Sequence, residues 1–200
     1  GSLNNAEVIE QALVGVDGIV HAAAKVSVSG DWEDYERTNI VGTQALLDAA
    51  IERSISKFLY VSSPSVAHAG TALIGEGNGV ASPEHARGNY ARSKATAELA
   101  VLAANGTKLA SGSTLRVGAL RPHLIWGPGD TQLVERILDR AQSGRLPLLS
   151  GGTGLIDTLY IDNAADALVR GYERLESIAG RALVVTNGQP RTIAELMSGF

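Results

Sequence analysis

Short apolar runs alternate along this chain with stretches in which apolar residues recur every three to four positions. "IVHAAA", "KFLYVSS", "TLRVGALRPHLIWG", "LIDTLYI" and "RALVVTN" are of strand character, and "KFLYVSS" is nearly continuously apolar, as when both faces of a parallel sheet are covered. Helical spacing sets Val8, Ile9, Ala12 and Leu13 on one face of a first helix, where Asn4 and Glu7 have the spacing of a capping box. A long helix is predicted from about Trp32 to Arg53, with Ala45, Leu46, Ala49 and Ala50 on its apolar face. Residues 90–104 form another, ended by Asn105-Gly106. Further helices are predicted near 131–143, after Asp162 as N-cap, and at the end in "RTIAELMSGF".

This alternation predicts an α/β fold with a mostly parallel sheet. A shift in composition after Gly127 marks a smaller second lobe, giving 1–126 and 127–200, the second interleaved with the sheet. In such folds ligands bind at the carboxyl ends of the strands. The candidate positions are therefore Ala22 to Ala24, Ser62 to Ser65, and Pro122 to Trp126. Residues 64–89 form a long connection with five Gly and two Pro, a length that usually carries function.

Composition narrows the classes. The 200 residues are 44% hydrophobic and 19% charged, with net charge −4, which disfavours a nucleic-acid footprint or a basic membrane patch. No apolar run reaches a membrane span. Cysteine is absent, which excludes disulfides and thiolate metal sites and fits a cytoplasmic protein. The four histidines, His21, His68, His85 and His123, have no metal-binding spacing, so no metal is expected. Neither G-x-G-x-x-G nor G-x-x-x-x-G-K-[ST] occurs; "GEGNG" and "SGGTG" lack the spacing and are expected to be loop and turn.

Three features carry chemistry. Tyr90 and Lys94, at i and i+4, share one helical face, where a lysine cation favours the phenolate and lowers the tyrosine pKa. Ser62 and Ser63 end a buried strand, where a hydroxyl can bond a substrate oxygen. Asn39 sits in the middle of a predicted helix against its propensity, which suggests a polar duty.

With these in order, the chain resembles the extended short-chain dehydrogenase/reductases. "VDGIVHAAA", "TNIVGTQALLDAA", "KFLYVSSPSV", "NYARSKATAE", "ALRPHLIWGPGD" and "DTLYIDNAADALV" look like six of that family's motifs, in family order. The resemblance implies a Rossmann-type doubly wound parallel sheet with a small C-terminal substrate lobe, and a cytoplasmic homodimer built on the helices around 32–53 and 90–104. It implies NAD or NADP as cofactor. Tyr90 would be the acid/base, Lys94 its electrostatic partner and ribose contact, and Ser63 the group that orients the substrate oxygen. Asn39 would contact the cofactor or support proton relay. Ala22, Ala23, Pro122, His123 and Leu124 would line the cofactor; Ser63, Ser65, His68, Trp126 and Ile156 would face substrate.

The family opens with a strand, a glycine-rich loop and a helix about 60 residues upstream of the matching point, so the chain is expected to be an internal segment lacking that loop. Within the family it looks closest to the 3β-hydroxysteroid dehydrogenase/isomerase branch, and there to bacterial 2-alkyl-3-oxoalkanoate reductases, which favours NADP. The implied reaction interconverts a 3-hydroxy and a 3-oxo group on a large apolar, 2-alkyl-3-oxoalkanoate or sterol-like substrate. Two alternatives stand beside it. Nucleotide-sugar epimerases and dehydratases share the triad, but they usually carry a phosphate-gripping Arg where this chain has Ile156. A non-catalytic dinucleotide-sensing protein is the other, and such relatives commonly lose the Tyr or Lys kept here.

Overall fold

A computed structural model describes residues 1–26, 30–68, 77–130, 134–144 and 149–199. Two compact units result, residues 1–121 with 168–184 and residues 122–167 with 185–200. The chain leaves the first unit after Arg121, five residues before the boundary expected at Trp126, and later returns to it.

In the first unit, α1 (Ala6–Ala12) leads to β1 (Ile19–His21). A helical segment follows: α2 (Trp32–Tyr35), a π-helical turn (Glu36–Val41) and α3 (Gly42–Glu52). Then come β2 (Lys57–Val61), a 3-10 turn (Pro64–Ala67), α4 (Asn89–Ala103) and β3 (Arg116–Pro122). The four-stranded sheet has the order β1-β2-β3-β7, with β7 spanning Ala182–Val185. β1 and β2 pair in parallel with His21 opposite Tyr60, and β2 and β3 with Tyr60 opposite Ala119.

Strand alternation decides which residues form which core. Phe58, Tyr60, Val117 and Ala119 join Leu46, Leu47, Ala50, Ala97 and Val101 in one buried cluster beneath α3 and α4. The intervening Leu59 and Leu120 point to the other face. A Cβ on Gly171 would meet both of them, and one on Gly118 would meet Leu175 and Ile178. These contacts place the end of α6 (Ile161–Glu173) and α7 (Leu175–Ile178) on that face. Helices thus cover both faces, the doubly wound arrangement that the nearly continuous apolar strands require.

The second unit holds β4 (Leu124–Trp126) and β6 (Thr158–Tyr160), which pair in parallel. Its β5 (Leu155–Ile156) pairs antiparallel with β8 (Arg191–Thr192). The unit also contains α5 (Val134–Gln142), the start of α6 and α8 (Ile193–Ser198).

Several boundaries differ from expectation for local reasons. The first helix is capped by Asn5, whose side chain accepts from the Val8 amide, while the Asn4 amide bonds Ser2. "TLRVGALRPHLIWG" is not one strand: it splits into β3 and β4, which join different sheets. "LIDTLYI" likewise divides into β5 and β6 around Asp157, whose carboxylate accepts from the Thr158 amide. Asp162 lies within the first turn of α6 rather than before it. The capping box forms at α8, between Thr192 and Glu195. Asp130 caps α5 through the Val134 amide. Of the predicted 131–143 helix, 131–133 lie outside the described residues, as do residues 75–76 of the "GEGNG" loop.

Candidate active site

At the carboxyl ends of β1, β2 and β3 the core cluster gives way to a buried polar layer. The same alternation that buries Ile19, Phe58 and Val117 under α4 aims His21, Tyr60 and Arg121 there too. Facing them are Lys94 and Glu98 of α4, Thr43 of α3 and Asn39 of the π turn, all buried. Unpaired buried charge is expensive, so each group's partner decides what the layer can do.

Gly88 sets the entry to α4 with φ +87° and ψ 156°, a conformation that only glycine adopts readily, and its place before "NYARSK" follows from that. Tyr90 stands in the first turn, half-buried, with its phenol hydrogen-bonded to Ser63. Ser63 Oγ also lies 2.9 Å from Ser65 Oγ and accepts from the Ser65 amide. Lys94 Nζ donates to the Val61 carbonyl at 2.7 Å and sits 4.0 Å from the centroid of the Tyr60 ring. Tyr90, Ser63, Ser65 and Lys94 therefore gather at the end of β2.

The expected electrostatics are reversed. Burial pushes the Tyr90 phenol up from 10, and the Ser63 hydrogen bond offsets only part of this. Lys94 exerts no visible pull on it; burial instead lowers the lysine itself to about 7, against the opposing effect of Glu98. Spacing at i and i+4 fixes a shared face, not the depth of each side chain. Here the ammonium turns inward to Val61 and Tyr60.

Asn39 is not a surface residue. Its Oδ1 accepts from the Lys25 amide at 2.7 Å, while Nδ2 donates to the Lys25 carbonyl and to Ser93 Oγ, 3.1 and 3.0 Å away. Ser93 Oγ in turn donates to the Tyr90 carbonyl. The segment after β1 is thereby tied to α4 through one side chain. Lys25 Nζ is held by Asp34, 2.7 Å away. The π turn carries this Asn, and such turns recur at functional sites. Ala22 and Ala23 lie exposed on the tied segment.

His21 Nε2 lies 2.9 Å from Thr43 Oγ1, and its ring meets Phe58 and Tyr60. Burial, then Lys94, lowers its pKa to about 4 from 6.5. Its neutral form is the one the fold accepts, so stability is present above pH 6.5 and is lost as pH falls toward 4. His21→Leu should flatten that acid limb by about 3 kcal/mol, read as urea stability from pH 4 to 7. Parallel curves for the two proteins would contradict this.

Of the remaining predicted residues, His68 lies in the first unit and the others in the second. His68 ends the 3-10 turn, with its amide bonded to the Ser65 carbonyl. Pro122, His123, Leu124, Trp126 and Ile156 belong to the second unit. There the His123 amide bonds the Val185 carbonyl, Trp126 packs edge-on against Tyr160 at 5.2 Å, and Ile156 pairs with Arg191. Trp126 thus has a packing role in its own unit.

Sequence reasoning missed Glu98, Arg121 and Asn78. Arg121 Nε and Nη2 grip the Glu98 carboxylate at 2.9 and 2.5 Å, both side chains 1% exposed. Arg121 Nη1 bonds the carbonyls of Asn78 and Gly79. The signals were present: Glu98 extends the Tyr90, Lys94 series by one more step of four, and Arg121 is a charge inside an apolar strand.

Among the described residues no group of three or more His, Asp or Glu is placed to hold a metal, and no helix is long and apolar enough to cross a membrane.

The chain is 40% identical over 204 residues to a 2-alkyl-3-oxoalkanoate reductase of Stenotrophomonas maltophilia, covering 99% of this chain and 60% of that protein. It is 30% identical over 197 residues to a decarboxylating sterol-4-alpha-carboxylate 3-dehydrogenase of Mus musculus, covering 95% and 52%. A dTDP-glucose 4,6-dehydratase double mutant from Streptomyces venezuelae, solved with NAD bound, matches with TM-score 0.80 at 25% identity, over 99% of this chain and 60% of that one. The chain thus spans 60% or less of the length of these relatives. The 3-beta hydroxysteroid dehydrogenase/isomerase family matches residues 1–198, so this extended short-chain dehydrogenase/reductase chain belongs to that family.

Proposed function

We propose that the protein is an NAD(P)-dependent oxidoreductase that interconverts a 3-oxo and a 3-hydroxy group on a large apolar substrate, a 2-alkyl-3-oxoalkanoate before a sterol. The observation that carries this is the hydrogen-bonded Tyr90–Ser63 pair at the end of β2, with Lys94 one turn further along α4. The likeness to the bacterial reductase supports the substrate class.

The residues present suit a nicotinamide cofactor. Lys94 Nζ has three N–H donors and gives one to Val61, leaving donors for ribose hydroxyls. Ala22 and Ala23 offer small side chains and backbone after β1. Lys94, Tyr90 and the Ala22–Ala23 backbone would hold the cofactor, which supplies or accepts the hydride. In reduction, Tyr90 Oη gives its proton to the carbonyl oxygen as the carbon becomes a carbinol. A phenol kept protonated by burial suits that direction. Ser63 Oγ donates a hydrogen bond to the same oxygen as negative charge gathers on it. Asn39 keeps the segment after β1 in register with α4. Pro122, His123 and Leu124 as cofactor contacts, and Ser65, His68, Trp126 and Ile156 as substrate contacts, belong to the same proposal. So does a homodimer through α2–α3 and α4, although Ala49, Ala50, Ala91, Ala95 and Ala97 of these helices are buried within the protomer.

A second reading, a nucleotide-sugar enzyme, is favoured by one observation: Arg191 stands directly opposite Ile156 in the β5–β8 pair, beside the position where such enzymes usually carry a phosphate-gripping arginine. One panel separates the two. The full-length protein should oxidise NADPH or NADH with 2-alkyl-3-oxoalkanoates and not bind UDP- or dTDP-sugars; the opposite pattern overturns the proposal. Light scattering of the same sample should give a dimer mass, and a monomer mass removes that part.

A further inference from the structure

One turn beyond Lys94, α4 carries a buried carboxyl group, Glu98, and its partner lies on β3. Lys94's immediate contacts, the Val61 carbonyl and the Tyr60 ring, carry no full negative charge. The titratable groups that act on it or touch it are His21 from β1, Tyr60 from β2 and Glu98 from its own helix; Arg121 from β3 is paired with Glu98. Glu98 is the one carboxylate among them. It is fully buried, and the Arg121 fork fixes both its oxygens.

Arg121 also reaches away from α4. Its Nη1 bonds the Asn78 and Gly79 carbonyls. The Asn78 amide side chain then acts on β7 as a neighbouring strand would, donating to the Ala182 carbonyl at 2.8 Å and accepting from the Val184 amide at 3.4 Å. Asn78 belongs to the connection between β2 and α4, the connection that joins Ser63 to Tyr90 in sequence. The expected loop is, at Gly77–Gly79, a fastened one.

We propose that the buried Glu98–Arg121 pair is a positioning device: Glu98 supplies the counter-charge for the Lys94 ammonium, and Arg121 locks that carboxylate while tying α4 to the 77–79 segment and to strand β7. Neither residue touches a reacting atom. The device rests on the proposed roles of Tyr90 and Lys94 for its catalytic consequence only; its electrostatic and mechanical parts are properties of the protein without cofactor. Two buried groups on one helical face, one turn apart, interact, so removing Glu98 withdraws support from the Lys94 ammonium.

The test is an NMR titration of the full-length protein labelled with ¹³C-lysine, with the Lys94 signal assigned from Lys94→Arg. Glu98→Met combined with Arg121→Met replaces the pair by apolar side chains of similar length, which a core generally accepts. Lys94 should then titrate about one pH unit lower than in the parent. The Val184 amide should exchange about tenfold faster, because its side-chain acceptor is released. Asn78→Ala should speed the Val184 exchange alike and leave the Lys94 titration where it was. An unmoved Lys94 in the double variant overturns the counter-charge, and an unmoved Val184 amide in either variant overturns the tie. Because both readouts need no turnover, they stand even where the reductase assay fails.

Discussion

Tyr90→Phe in the full-length protein should lower kcat for ketone reduction by about 10²–10⁴, with KM little changed. The substitution removes one oxygen from a half-buried ring and leaves its packing. What goes is the proton that Tyr90 delivers and the partner of the Ser63 hydroxyl. Since burial raises the phenol pKa, Tyr90 holds its proton throughout the neutral range, and the loss in reduction should be similar at each pH there. Had Lys94 depressed the phenol as the sequence suggests, the parent's rate would fall already at mildly alkaline pH as the acid form disappeared. Steady-state assays of both proteins decide this. Undiminished turnover in the variant removes Tyr90 from the chemistry, whereas an early alkaline fall in the parent restores the depressed phenol. Ser63→Ala should cost less, because it removes one hydrogen bond and no proton.

Much of this site was legible in the sequence, and the reason is periodicity. Tyr90 and Lys94 sit on one helical face by spacing, Ser62 and Ser63 end a strand by their place after "KFLYV", and an Asn in a helix announced a duty. The structure gives that duty a form the sequence could not: Asn39 bonds backbone groups 14 residues earlier and a serine 54 residues later. Contacts of that span depend on the packing of separate elements, which local pattern does not encode. The same limit explains the split of "TLRVGALRPHLIWG". Its strand character carries on past Pro122 and His123 to Leu124–Trp126, but the two halves find different neighbours, and only the neighbours define the strands. Depth is the other quantity that pattern hides. His21 ends an apolar run as the serines do, yet it is 3% exposed and bonded to Thr43, so it serves the buried layer.

Arg121→Met alone should destabilise the protein by about 3–5 kcal/mol, the second large effect expected here, because it strands the Glu98 carboxylate in a dry core. Both side chains are 1% exposed, so solvent does not screen the pair. Three further losses attend the substitution: the Asn78 and Gly79 carbonyls lose their donor, and the 77–79 segment its hold on α4. Glu98→Met alone should cost a comparable amount, for it strands the guanidinium instead. The double variant should recover most of either loss, since no buried charge is then left over and apolar side chains of similar length take the place of the pair. A urea-unfolding cycle over the four proteins measures the coupling. Single losses that simply add in the double variant would mean that the two side chains stabilise independently. Recovery would mean that the pair's net contribution to stability is small, and that its presence in this core answers to Lys94 and the 77–79 segment.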